Sequence, residues 1–279
     1  MPETGPMGIQ QTTAKRLKRL GAVIEREFQT IIRTRTLLAM AGGFFGLVFG
    51  LAWTSGVTGY LPLVLDLLTP VELLIPVLVF GFAYRSILDD RKRGELDIIR
   101  TYPLGDRSYI AGVYLGRAIA VLIVLLGSLL LPAVLVYLFG GAGSTVIASH
   151  RSADSFILYL RFVVLSSVFA LVVMAIAVAV SAVATTARSS IGLTVAVLLV
   201  LVVGIDLGIV VGLAAGLVPD TAVQWLLALS PTSAYRGLVF ELVVGSTVGG
   251  SVPAAHPIAN VLALVGWWIV MLWIASTSL

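Results

Sequence analysis

Apolar and polar positions alternate in long blocks along this chain. Six apolar runs cover residues 37–53, 70–84, 118–139, 156–183, 191–217 and 258–275. Crossing the hydrocarbon core of a bilayer takes roughly 20 apolar residues in a helix, so each run predicts a membrane span. The first lies close to the minimum length, and the second is expected to continue as helix through Leu88.

Ahead of the first run a shorter period appears. Leu17, Leu20, Ile24, Phe28 and Ile31 recur at steps of three or four, with Lys15, Arg16, Lys18, Arg19, Arg26 and Arg33 filling the rest of the wheel. This spacing predicts an amphipathic helix over 15–33 lying in the headgroup layer, its basic face toward water. The chain therefore divides into a basic N-terminal part, residues 1–36, and a membrane part, residues 37–279. The link over 218–257 is too long for a turn. Two short helices are expected in it, at 221–229 and 235–244, separated by Ser230-Pro231-Thr232 and followed by a loop at 245–257. Half-helices that dip back into the outer leaflet are tolerated where protein shields their ends. The resulting fold class is all-α: a polytopic membrane protein of six transmembrane helices with an interfacial amphipathic helix.

Composition agrees. The chain is 59% hydrophobic and 11% charged, with a mean hydropathy of +1.06, far from a soluble domain. Its formal charge of +4 reflects where Arg and Lys are kept rather than affinity for nucleic acid. Seven of them lie in residues 1–36, seven in residues 85–117, and Arg188 joins spans four and five, whereas the opposite links hold only Arg151 and Arg236. The positive-inside bias then places both termini in the cytoplasm and the protein in the cell membrane. No cysteine is present, which excludes disulfides, thiolate metal sites and cysteine nucleophiles.

The stretch Arg85–Arg117 carries the chemistry that can face water. Its charged junction, Asp89-Asp90-Arg91-Lys92-Arg93, is followed by Gly94, which frees the backbone to turn. Glu95 to Tyr102 then predicts a short helix with Leu96, Ile99 and Tyr102 on one ridge, ended by Pro103. Such a ridge fits a groove on a partner protein or rests on the bilayer surface.

Charges at membrane depth form a second set. On the insertion scale a charge at mid-membrane costs roughly 2.5–3.5 kcal/mol, so Asp66, Glu72, Arg161 and Asp206 need partners or a polar path. Arg161 lies five residues inside the outer end of span four. Asp206 lies about 22 Å from the inner start of span five at helical rise. Their depths match, which allows an Arg161–Asp206 ion pair, either as a structural lock or in translocation. Glu72 is expected near the outer interface.

Several stretches resemble one family. The run Arg93-Gly94-Glu95-Leu96, the Tyr102-Pro103-Leu104 that follows it and the closing Tyr114-Leu115-Gly116-Arg117 resemble the loop after the second span of ABC-2 type transporter permeases. Ala83-Tyr84-Arg85-Ser86-Ile87, Ile205-Asp206-Leu207, Trp225-Leu226-Leu227, Ser230-Pro231-Thr232 and Tyr235-Arg236 resemble the family at corresponding places. Within it, Thr101-Tyr102-Pro103-Leu104-Gly105 is most similar to the NosY permeases of nitrous-oxide reductase maturation. The sequence departs from the family at Glu95, where Thr is usual, and at Arg100, within a usual leucine run.

The resemblance implies a permease that works with a separate cytoplasmic ATPase, with a second copy of itself, and with an extracytoplasmic accessory protein where one exists. Glu95–Tyr102 is then the coupling helix, with Asp89, Asp90, Arg91, Arg93, Gly94 and Pro103 supporting it. ATP and Mg belong to the partner subunit, and this chain binds no cofactor and is no enzyme. Gly140-Gly141-Ala142-Gly143-Ser144-Thr145 lacks the Lys of a phosphate-binding loop. Copper handling would need Cys, Met or His clusters, but His150 and His256 lie in outer links and Met40, Met174 and Met271 on different spans. A NosY-like protein of this sequence is thus expected to pass a sulfur species rather than copper, or to transmit motion across the membrane. The alternative is a gradient-driven secondary transporter using Glu72 and Asp206. An intramembrane enzyme lacks any nucleophile–base or metal constellation here.

Overall fold

The computed structural model describes residues 21, 23–55, 59–94, 106–139, 155–217, 219, 222–245 and 257–279. All its regular elements are helical. Among the described residues, six helical segments are long and apolar enough to cross a membrane, so the chain is an all-α, multi-pass membrane protein.

The first element, α1, covers residues 23–33; residues 15–20 of the expected amphipathic helix lie outside the described residues. Thr34 then adopts extended geometry (φ −92°, ψ 104°) and spends its hydroxyl on the Thr30 carbonyl at 2.7 Å. This elbow separates α1 from the first span, α2 (Arg35–Thr54).

The second span, α3 (Tyr60–Ala83), starts ten residues before the sequence reading placed it. The apolar runs at 37–53 and 70–84 leave residues 54–69, with Gly59, Pro62 and Asp66, as the link between them. Pro62 falls in the first turn, however, where a missing N–H forfeits no intrahelical bond; the first such bond runs from the Leu63 amide to the Gly59 carbonyl at 3.2 Å. Pro70 and Pro76 sit within the helix. Glu72 is therefore not at the outer interface: at helical rise it lies about 18 Å from Tyr60, in mid-helix.

After a break at Tyr84–Arg85 the chain resumes as α4 (Ser86–Lys92). The third span, α5 (Asp106–Phe139), also begins earlier than expected, because residues 106–117 are helical rather than loop. Asp106 favours the positive end of the helix dipole, and Tyr109, Ile110, Val113 and Tyr114 bury one face of the extension. At 34 residues the helix is about 51 Å long, more than the hydrocarbon core requires.

The fourth span, α6 (Phe156–Val183), matches its expected bounds and forms the centre of the bundle. Residues 172–182 are buried all round, and their alternating Ala, Ser and Val let neighbouring backbones approach closely. Tyrosines fasten the bundle around it. Tyr159 on α6 donates to the Leu129 carbonyl of α5 at 2.7 Å, and Tyr114 on α5 donates to the Leu171 carbonyl of α6 at 3.1 Å. The fifth span, α7 (Ala187–Ala214), is opened by a Thr186–Ser189 capping box and interrupted by a π-turn at Val200–Gly204.

The two short helices form as α8 (Val223–Leu229) and α9 (Pro231–Val239), the latter running on into a π-turn at Phe240–Val244. The second helix starts at Pro231 rather than Tyr235, because Pro suits the first helical position and Ser230 caps it by accepting from the Ser233 amide at 3.3 Å. The sixth span is α10 (Pro257–Thr277).

Gly116 decides how α1 docks. A Cβ there would lie 2.7 Å from the Glu27 Cβ and 3.1 Å from the Ile24 carbonyl oxygen, whereas a Cβ at Gly127 would meet nothing within 4 Å. Gly116→Val should therefore destabilise the protein by about 1–3 kcal/mol through overpacking and expose α1 to protease. Gly127→Ala should leave both thermal unfolding in detergent and the cleavage pattern unchanged.

Candidate functional site

Charged side chains converge in two places, one at the end of the bundle that bears α1 and α4, the other within it. At the first, α4 is the described stem of the charged stretch. Its Arg91 donates to the carbonyls of Ala182 (3.1 Å) and Ala184 (3.2 Å) at the end of α6, and to that of Ser278 (3.0 Å) just past α10. Carbonyls at a helix C-terminus have no partner within the helix, and a cation there complements the helix dipole. One guanidinium thus joins the stem to the ends of two spans.

The neighbouring Asp90 points the other way and is buried. It accepts from Tyr109 Oη on α5 at 2.6 Å and from Arg26 on α1 at 2.6 Å. Arg26 also binds Glu27 at 2.8 Å, and Arg117 of α5 binds the other Glu27 oxygen at 2.9 Å while donating to the Phe82 carbonyl of α3. Burial opposes charge on Arg26, but Asp90 and Glu27 outweigh it and hold its pKa above the ordinary arginine value. Four elements are therefore tied by one continuous network around two buried carboxylates.

The remaining junction residues are at the surface of this network. Asp89 faces Arg85 one turn away at 3.1 Å, and Arg93 Nε reaches the Asp89 carbonyl at 3.4 Å. Gly94 has φ +69°, a left-handed conformation that ends α4 and that other residues adopt at a cost. Glu95, Leu96, Ile99, Tyr102 and Pro103 lie outside the described residues, as do the glycine run at 140–145, His150 and His256.

Inside the bundle the expected Arg161–Asp206 pair does not form. Arg161 instead donates to the Leu242 carbonyl at 2.9 Å, in the π-turn after α9. A π-turn leaves carbonyls out of the regular ladder, and the guanidinium meets one of them. Asp206 accepts from Ser233 Oγ at 2.9 Å and lies 4.0 Å from Arg236. Arg236 is not a residue of a solvent link. It sits on α9 and holds Glu72 with two bonds, Nε to Oε2 at 2.9 Å and Nη2 to Oε1 at 2.5 Å. Glu72 is only 3% exposed, against 45% for the Arg236 side chain. Around this pair, Tyr235 shares a hydrogen bond with Ser166 of α6 at 2.8 Å, and Thr232 donates to the Leu201 carbonyl in the π-turn of α7 at 3.2 Å.

Two buried charge groupings, around Glu27 and around Arg236, are not marked by the sequence pattern. Glu27 was legible in principle: Ile24, Glu27, Phe28 and Ile31 share one face of α1, so an acid stands on the face that packs. Arg236 carried no such signal, since only the fold-back of α9 brings it to the depth of Glu72.

The Glu72–Arg236 pair should behave asymmetrically. Arg236→Gln leaves a buried carboxylate without its counter-ion and should cost about 3 kcal/mol. Glu72→Gln leaves a half-exposed guanidinium with Asp206 nearby and should cost less. Combining the two should recover part of the Arg236→Gln loss, as read by thermal unfolding in detergent.

Residues 62–279 match the family described as ABC-2 family transporter protein. The chain is 28% identical over 265 residues to the probable ABC transporter permease protein NosY of Pseudomonas aeruginosa, covering 90% of this chain and 92% of that protein. It is 27% identical over 270 residues to the probable ABC transporter permease protein NosY of Stutzerimonas stutzeri, covering 92% and 94%. Six apolar spans and a match over most of the chain lead to one conclusion: the chain belongs to the ABC-2 family of transporter proteins, as a multi-pass permease subunit.

Proposed function

We propose that this permease is driven by a separate cytoplasmic ATPase that grips residues 95–102, and that α4 carries the resulting motion into the membrane. The observation behind this reading is Arg91, which joins α4 to the ends of α6 and α10. A push on the segment after Gly94 meets a stem already fastened to two spans, while Asp90 and Arg26 fasten the same stem to α1. ATP and Mg then act on the partner subunit, a second copy of the permease completes the transporter, and both termini face the cytoplasm.

The likeness to two NosY permeases supports a NosY-like role in copper-enzyme maturation. The absence of cysteine and the placing of Met40, Met174 and Met271 on three different helices favour a sulfur species over copper as the cargo. A gradient-driven transporter would need Glu72 free to load an ion, and its two bonds to Arg236 weigh against that.

The lack of cysteine also makes the test direct, since single cysteines can be added for spin labels without background. Co-expressed with a candidate ABC ATPase from the same genome, the permease should purify as a complex with ATPase activity. Leu96→Glu or Tyr102→Ala should lower recovery of the ATPase about tenfold, the effect of losing one anchor from a groove. Arg91→Ala should retain the ATPase yet abolish the nucleotide-dependent change in label distance between α5 and α7. Recovery of the permease without any ATPase, or Leu96 and Tyr102 variants that behave as wild type, would overturn the proposal.

A further inference from the structure

Between the α1–α2 elbow and the α3–α4 break lies a cavity of about 630 Å³, lined in part by Arg85, Ser86 and Thr36, which the coupling reading does not use. Among the described residues, four arginines line it (Arg26, Arg85, Arg93, Arg117), beside three acids, Glu27, Asp89 and Asp90. Glu27 and Asp90 are already engaged by Arg26, Arg117 and Tyr109.

Donors remain unspent there. Ser86, only 2% exposed, has a hydroxyl with no hydrogen-bond partner. A buried polar atom in that state requires an explanation. Arg85 Nε is buried and makes no hydrogen bond either, its approach to Asp89 being an ion pair between side chains 38% and 35% exposed, a weak class of contact. Thr36 lines the same cavity. A guanidinium fork with hydroxyls beside it is suited to the oxygens of a phosphate.

The surroundings choose between a free phosphate and a lipid. Leu37 and Met40 supply an apolar wall, and α2 continues from the cavity with Leu47 and Leu51, about two and three turns on from Met40 on the same face, uncovered. A phosphate seated at Arg85 would have a track for acyl chains directly beside it, at the level where an amphipathic helix such as α1 lies in the headgroup layer. We propose that this cavity binds the phosphate of one anionic phospholipid, with Arg85 and Ser86 as its principal contacts and the acyl chains along α2.

Native mass spectrometry of the purified full-length chain tests this with dioleoyl phosphatidylglycerol, dioleoyl phosphatidylcholine and inorganic phosphate as separate probes. The expected result is one tightly retained phosphatidylglycerol per chain, at least tenfold preferred over phosphatidylcholine and not displaced by inorganic phosphate. Arg85→Gln should weaken retention about tenfold, as expected on losing a charge-assisted hydrogen bond. Ser86→Ala, a smaller change that keeps the fold safe, should weaken it several-fold. Arg107→Gln, at an exposed position on α5, should change nothing. Equal retention of phosphatidylcholine would overturn the anionic assignment, and displacement by inorganic phosphate the lipid one. Unaltered retention by both Arg85→Gln and Ser86→Ala would overturn the site. None of these outcomes bears on whether an ATPase grips residues 95–102.

Discussion

A carboxylate in the middle of a lipid-embedded helix cannot stay ionised without a fixed counter-charge, and much of this structure follows from how Glu72 obtains one. Its helix is committed to the membrane by an apolar run on either side, so the partner must come to it. Arg236 arrives on α9, a short helix that folds back into the bundle. That fold-back leaves helix ends and π-turn carbonyls at membrane depth, which Ser230, Thr232 and Arg161 then satisfy. The ion pair and the re-entrant helix require each other: neither is tolerable in hydrocarbon alone.

The same rule governs the other end of the bundle, with a different result. There the buried acids are Glu27 on α1 and Asp90 on α4, and their counter-charges come from two elements, α1 through Arg26 and α5 through Arg117. A network anchored on several helices resists sliding of any one of them, so motion applied to α4 moves the set together. Arg91 extends the set to α6 and α10 through backbone carbonyls, which offer the guanidinium fixed positions rather than flexible side chains. The cavity beside this network is the place where the Ser86 hydroxyl and Arg85 Nε are left without a hydrogen-bond partner.

Several features were readable along the chain. The six spans, the helix over residues 23–33 and the helical break at Ser230-Pro231 follow from hydropathy, period and turn chemistry, which are local properties. The errors were local in origin too. Span α3 was cut short because Pro62 and Asp66 look like link residues, although a first-turn proline costs a helix nothing. The start of α5 was read as loop because residues 106–117 are polar on one face, although Tyr109, Ile110, Val113 and Tyr114 bury the other.

What the sequence by itself determined is which segments enter the membrane, since that is a transfer free energy summed over consecutive residues. It also marked Glu72, Arg161 and Asp206 as charges in need of partners. Only the tertiary structure decided the partners. Depth matching suggested Arg161 with Asp206, but a pairing depends on the rotation and approach of helices distant in sequence, and 164 positions separate Glu72 from Arg236. Hydropathy has no term for that rotation; close packing around α6 sets it.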